Sequence, residues 1–290
     1  LEKRCLSKET IDTFGICYAP EEWDALGQNL QSKLISLNLA EEARLIKERS
    51  GDKGGGYYDI FRERLMFPIR SSLGEVVAFG GRVIRQGEPK YLNSPETSIF
   101  QKGRILYGLF ETAKYIRSED AVIVVEGYMD LVSLYQAGIR NVVATMGTAL
   151  TLDHGKLLKR LTKNVVILFD GDSAGQEATE RSLPLLLQAE LYPKGLTLPN
   201  NLDPDDYVKQ FGADHLGDLI QKAGDLFSLV LSQWMKGYHG EASEKVQLCD
   251  RVSSVLNTIH DLRLKQLYIS EMATKLEVTD HWLRQAISGP

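Results

Sequence analysis

Between residues 121 and 172 the apolar positions twice run unbroken, at Ala121-Val122-Ile123-Val124-Val125 and at Val165-Val166-Ile167-Leu168-Phe169. Each run breaks into an acid and a glycine. The first continues as Glu126-Gly127-Tyr128-Met129-Asp130, the second as Asp170-Gly171-Asp172-Ser173-Ala174-Gly175. A continuous apolar run between turn residues reads as a strand covered on both faces, as in a parallel sheet. With the helical periods between them, the pattern predicts strand 121–126, helix 129–137, strand 141–145, helix 151–161 and strand 165–170. A helix over 174–189 follows, interrupted at Pro184, and then a last short strand at 196–198. Such alternation means right-handed βαβ units around a parallel sheet.

The flanks have other periods. Residues 1–50 read as short helices: Ser7-Lys8-Glu9-Thr10 has the spacing of a helix start, and Pro20-Glu21-Glu22-Trp23 predicts a second with Pro at N1. Residues 30–47 are amphipathic at helical period, and 50–56 form a Gly-rich connector. That connector is not a phosphate loop, because no strand precedes it and no GK[ST] follows. Residues 65–69 and 76–79 read as strands joined by the turn Ser71-Ser72-Leu73-Gly74, which predicts a β-hairpin, with 80–83 continuing as a strand end or bulge. Residues 89–97 and 100–104 read as extended and loop-like. Beyond 206 only helical periodicity is found, with helices expected at 216–222, 226–236, 244–260 and 264–276.

The fold class is therefore α/β in three parts: a mixed α/β basic subdomain over 1–117, a central parallel-sheet βαβ subdomain over 118–206, and a helical subdomain over 207–290. With 290 residues, 43% hydrophobic and 25% charged, the composition is that of an ordinary globular chain. No apolar run reaches the roughly 20 residues that cross a bilayer, and no signal peptide opens the chain. The cysteines, Cys5, Cys17 and Cys249, form no CxxC pair, which fits a reducing, cytoplasmic setting. Starting on Leu1 in a helical context, the sequence is expected to be a piece of something longer. The net charge of −5 hides an asymmetry, since residues 61–104 carry eight Lys/Arg against four Glu, whereas residues 201–290 carry thirteen acids against nine bases. The basic segment is what a phosphate backbone would meet.

Ligands of open parallel sheets bind outside the carboxyl ends of the strands. Glu126, Asp170 and Asp172 are expected to share that rim, with Asp130 one helical turn further on and Asp203 and Asp205 of Asp203-Pro204-Asp205-Asp206 joining them. Any one of these acids alone is more often a helix cap or a solvated turn. Two strand ends of this kind are harder to explain so, with Gly127 and Gly171 letting the backbone turn sharply. Several carboxylates without His or Cys favour Mg²⁺ or Mn²⁺, two or more ions, and phosphate chemistry. His154, His215, His239, His260 and His281 have no metal-ligand spacing. Trp23, Trp234 and Trp282 are read as packing residues, and Gly147-Thr148 as a strand end facing the cleft. In the basic segment Arg62 and Arg64 alternate in an extended pattern, which places both on one strand face. Arg82, Lys90, Lys102 and Arg104 join them, with Tyr91 and Asn93 interleaved. Arg forks suit phosphate oxygens and an aromatic ring can stack an unpaired base.

Glu126-Gly127-Tyr128-Met129-Asp130 with Asp170-Gly171-Asp172 resembles the Toprim fold of primases, topoisomerases and certain nucleases. Three further strings resemble the bacterial replicative primase of the DnaG type: 61–69 (FRERLMFPI), 79–82 (FGGR) and the specific 90–97 (KYLNSPET). The likeness covers nearly the whole chain and is strongest over 61–206. It implies the RNA-polymerase core of an enzyme that makes RNA primers from ribonucleoside triphosphates on a single-stranded DNA template. The family's zinc-binding module is missing from this chain, and so is an evident helicase-binding domain. Replicative helicase and single-strand-binding protein, as partners in the primosome at the replication fork, would engage regions outside this fragment. A monomer is expected, with no membrane partner. The resemblance gives Glu126, Asp170 and Asp172 as catalytic metal ligands, with Asp130, Asp203 and Asp205 as further ligands or support. It gives Arg62, Arg64, Arg82, Lys90, Tyr91, Asn93 and Lys102 as nucleotide- and template-binding. The same fold leaves open a Toprim-type nuclease or topoisomerase fragment, though no tyrosine-bearing winged-helix domain is evident. A non-enzymatic module that senses a charged nucleotide is the remaining reading.

Overall fold

The computed structural model describes residues 6–49, 55–85, 87–199 and 202–288. The chain divides into two compact units, 1–111 and 112–290. Most of the Gly-rich connector, residues 50–54, lies outside the described residues.

In the first unit, helix α1 (Lys8–Phe14) starts where Ser7 caps it, the hydroxyl accepting from Thr10 N at 3.1 Å. The expected helix at Pro20 is absent. Glu63 N donates to Pro20 O at 3.0 Å, tying this stretch to residue 63, and α2 (Ala25–Ser32) begins later. Its first turn is capped from a distance, with the buried Asp59 carboxylate accepting from Leu26 N and Gly27 N. The amphipathic stretch 30–47 is not one helix either. It breaks at Leu34 and again at Arg44, both left-handed (φ 57° and 58°), giving the short α3 (Leu37–Glu42) and strand β2 (Ile46–Glu48). Strand β2 pairs with β3 (Tyr57–Asp59).

The main sheet of this unit is built on the expected hairpin, β4 (Arg64–Arg70) antiparallel to β5 (Val76–Val83). Strand β1 (Cys17–Ala19) flanks β4, and β6 (Tyr91–Asn93), within the stretch read as loop-like, flanks β5. Pro68 is tolerated in an inner strand because β1 pairs only as far as Met66, so no ladder bond is lost on that side. Helix α4 (Leu109–Glu119) contains the division between the units.

The second unit carries the alternation read from the sequence. Strands β7 (Val122–Val125), β8 (Val142–Ala144) and β9 (Asn164–Ile167) alternate with helices α5 (Tyr128–Gln136), α6 (Leu152–Lys159) and α7 (Ser173–Gln188). β10 (Tyr192–Gly195) and the antiparallel β11 (Gly224–Asp225) complete a sheet of order β11-β10-β9-β7-β8. All pairings from β8 to β10 are parallel. The apolar runs are buried as their pattern demands, Val122, Val124 and Val125 at 0% exposure. Two expectations need correction. Helix α7 runs through Pro184, because its buried face (Leu183, Leu186, Leu187) packs on both sides of the lost hydrogen bond. The last parallel strand is Tyr192–Gly195 and not 196–198. Pro193 and Gly195 disguise it, yet Pro193 sits opposite no residue of β11, so its missing N–H costs no bond there.

The C-terminal part is helical: α8 (Pro204–Phe211), α9 (Ala213–Gln221), α10 (Leu226–Trp234), α11 (Ala242–Leu256), α12 (Leu262–Leu276) and α13 (Asp280–Ser288). Phe227 stacks on Tyr268 at 4.2 Å, and Tyr268 donates to Asp225, the cap of α10, at 2.8 Å.

Candidate active site

The strand order sets the site. From β7 the chain leaves toward β8, and from β9 it leaves toward β10 on the other side. The crevice at the carboxyl ends of β7 and β9 is therefore the point where the winding reverses, which is where open α/β sheets take ligands. Register pairs Val124 with Ile167, so Glu126 and Asp170 emerge side by side. Asp170 N donates to Glu126 Oε1 at 3.4 Å.

The other acids arrive on helix N-termini. Asp172 caps α7, accepting from Gly175 N at 2.8 Å, and Asp203 caps α8, accepting from Asp206 N at 2.7 Å. Asp130, on the first turn of α5, reaches back to accept from Gly127 N at 3.0 Å. Asp205, in the first turn of α8, is buried against α5, where its Oδ1 accepts from Ser133 Oγ and pairs with Lys209 Nζ at 2.6 Å. Gly127 and Gly175 serve closeness rather than sharp turning. Gly127 has φ −117° and ψ 164°, open to any residue, but a Cβ there would stand 2.8 Å from Asp130 Oδ2. A Cβ on Gly175 would stand 2.1 Å from the Asp170 carbonyl oxygen, so only glycine lets α7 begin this near the end of β9. Met146 and Gly147 are consecutive left-handed residues after β8, and Gly147 N donates to Glu126 O at 3.3 Å.

Crowding shows in the proton affinities. Burial, then the charges of Asp170, Asp203 and Asp205, pushes Asp130 up to about 7. Burial, then Asp170, with a smaller push from Asp172, raises Glu126. Burial also raises Asp203, with Asp206 and Asp205 adding to it. Acids that raise one another in this way call for positive charge between them, and an all-carboxylate set suits a hard divalent cation. Among the described residues no three His, Cys, Asp or Glu side chains stand close enough to enclose one ion as they are. Asp172 and Asp203 are turned to their helix caps and would have to be drawn from them by a cation. The donor chemistry fits Mg²⁺ or Mn²⁺.

In the first unit the basic residues have definite work. Arg62 and Arg64 do not alternate on a strand, because Glu63 between them is left-handed at φ 49°. The Arg62 guanidinium donates to Asp59 O and lies 4.1 Å from the Trp23 ring centre. Arg64 is buried and donates to Gly81 O at 3.2 Å and Pro89 O at 2.9 Å, holding the segment that carries Lys90. Arg82 and Tyr91 are direct cross-strand partners, with the guanidinium 5.4 Å from the ring centre. Arg82 Nη1 is buried without a hydrogen-bond partner among the described residues. Lys90 Nζ lies 6.0 Å from the same ring, and Asn93 stands opposite Gly80. Lys102 opens a 3-10 turn whose first N–H donates to Glu96 at 3.1 Å.

Sequence reasoning passed over Ser133 and Lys209, and saw Gly175 only as the last residue of the Asp170–Gly175 motif. Lys209 was visible as a helical i,i+4 partner of Asp205. Ser133 carried no signal, because its contact is 72 residues distant.

Comparison with known proteins adds two domain matches. Residues 1–114 match the DNA primase catalytic core, N-terminal domain, and residues 123–208 match a Toprim-like domain. A DNA primase of Halalkalibacterium halodurans is 37% identical over 287 residues, covering 98% of this chain and 48% of that protein. The chain thus spans about half the length of such curated relatives. A solved DNA primase domain from Pseudomonas aeruginosa superposes with TM-score 0.89 at 37% identity, covering 100% of this chain and 91% of that one. The DnaG primase catalytic domain bound to ssDNA gives TM-score 0.87 at 36% identity, covering 97% and 89%.

Proposed function

Because this chain belongs to the DnaG-type bacterial primases, as the part that forms their catalytic core, we propose that it makes RNA primers on single-stranded DNA by nucleotidyl transfer. The observation that carries this reading is the meeting of Glu126 and Asp170 at the winding reversal, with Asp172, Asp130 and Asp203 on the helix starts around it. In the reaction a primer 3′-hydroxyl attacks the α-phosphorus of a ribonucleoside triphosphate and pyrophosphate leaves.

Glu126, Asp170 and Asp172, supported by Asp130 and Asp203, would hold two or more Mg²⁺ or Mn²⁺ ions. When bound, these would acidify the attacking hydroxyl and neutralise charge on the triphosphate. Arg82 brings its guanidinium charge to a phosphate, and Lys90 adds charge beside the same Tyr91 ring. Tyr91 offers a ring to an unpaired base, and Asn93 and Lys102 extend the set. Arg62 and Arg64 act here by shaping that surface, since their guanidinium groups are engaged within the protein. The single-stranded DNA held by the related catalytic domain supports the template assignment. A bacterial primase works in the cytoplasm, and no helix among the described residues is long and apolar enough to cross a membrane.

The nuclease or topoisomerase reading is tested against this one in a single comparison. Labelled ribonucleotides with single-stranded DNA and Mg²⁺ or Mn²⁺ should give short RNA products, and supercoiled plasmid should stay intact. Nicked plasmid without RNA product would reverse the order.

A further inference from the structure

The acids of the rim are not equivalent, and Asp205 differs from the rest in its partners. It is buried, at 6% exposure. Its Oδ1 accepts a hydrogen bond from the Ser133 hydroxyl on α5 and pairs with the ammonium of Lys209 one turn along α8. Asp203, two residues earlier, is half-buried and bonded to its own helix start. Asp130 lies one turn before Ser133 on α5. The Ser133–Asp205 bond therefore ties the first turn of α8 to α5, two residues from Asp203. Lys209 offsets the charge that this buried carboxylate would otherwise add to an already repelling set.

We propose that Asp205 is a positioning residue and not a cation ligand: clamped by Ser133 and Lys209, it sets the α5–α8 contact that presents Asp203 to the metal. The inference rests on the metal-dependent reading of the rim and divides its acids into those that would touch the ion and one that holds them in place. The distinction is chemical. A ligand must offer its anionic oxygen to the cation, so Asp→Asn abolishes its contribution. A residue that only accepts a hydroxyl hydrogen bond is served by the Asn carbonyl almost as well.

The test is Mn²⁺ binding to the whole chain followed by electron paramagnetic resonance, which reads the ion without turnover, with thermal melting as a check on folding. Asp203→Asn should weaken Mn²⁺ binding about tenfold or more. Asp205→Ala should weaken it several-fold. The charge-balanced pair Asp205→Asn with Lys209→Met keeps the Ser133 bond and should restore binding to within about threefold of the unaltered chain. Loss in that pair as deep as in Asp203→Asn would make Asp205 a ligand and overturn the proposal. Unaltered binding in Asp205→Ala would overturn it too, by removing any role. Absence of Mn²⁺ binding in the unaltered chain would sink the metal reading together with this one.

Discussion

At Asp130 burial and three neighbouring carboxylates push the proton affinity up to about 7, and the sign of the consequence can be worked out. A carboxyl whose folded value lies above its unfolded one stabilises the fold fully below the unfolded value, near 4. That contribution is lost as pH rises through about 7. Glu126 and Asp203 shift in the same direction. With divalent ions chelated, the melting temperature should therefore fall between pH 5 and pH 8, by several degrees. Asp130→Asn should flatten the slope. A melting temperature that rises over this interval would mean that the rim is not electrostatically strained. Gly175 is as tightly placed. A methyl group there would meet the Asp170 carbonyl at 2.1 Å, backbone that cannot rotate away. Gly175→Ala should destabilise by about 1–3 kcal/mol, the usual cost of overpacking, and lower primer synthesis by at least about a hundredfold through the displaced end of β9. Comparing its melting and activity with those of Gly217→Ala, at a site with open space, checks this. Which acids gather was legible, because apolar runs ending in acids mark strand ends. Which acid is clamped and which can reach a cation was not, because that depends on pairings such as Ser133 with Asp205.

At the scale of elements, the N-terminal helices show where propensity misleads. Residues 30–47 keep a helical period of apolar positions, but the backbone turns left-handed at Leu34 and Arg44. In both places the helix end closes by paired hydrogen bonds, Ile35 N to Leu30 O and Leu45 N to Ala40 O, each 2.9 Å. Glycine is the usual residue at such a position, and neither Leu nor Arg announces it. Leu34 is 95% exposed, so its side chain gives nothing back for the strained φ. Leu34→Gly should stabilise the chain by about 0.5–1 kcal/mol, the left-handed strain less the flexibility gained by the unfolded chain. A lower urea midpoint would contradict this. In the same unit the hairpin was legible from two apolar, strand-like runs and the Ser-Ser-Leu-Gly turn between them. The β6 strand was hidden, because three residues beside prolines read as loop. It places Tyr91 directly across from Arg82. Lys90, exposed beside that ring, can be changed without touching the core. Lys90→Ala should weaken single-stranded DNA binding or triphosphate use several-fold with an unchanged melting temperature. Full primer yield and filter binding would remove Lys90 from the surface.

For the whole molecule, net charge is a poor guide. The chain carries −5 overall, yet its basic stretch lies in the first unit and the acidic helices in the second. If about four phosphates are neutralised, single-stranded DNA affinity should fall about 50-fold between 50 and 200 mM salt, by counterion release. A flat salt dependence would argue that the basic stretch meets no backbone. The α/β alternation and the helical end follow from periodicity in the sequence, whereas the strand order that reverses the winding appears only in the fold. The exceptions, Tyr192–Gly195 and the helix that continues through Pro184, are places where tertiary pairing overrode Pro and Gly. The central claim is that carboxylates at the ends of β7 and β9 hold the divalent ions on which primer synthesis depends. Anomalous diffraction from crystals grown with Mn²⁺ and a nucleoside triphosphate tests it most directly. The account predicts peaks within ligand distance of Glu126, Asp170 and Asp172 that vanish in the Asp170→Asn, Asp172→Asn double variant. Peaks elsewhere, or peaks that survive that change, would contradict it.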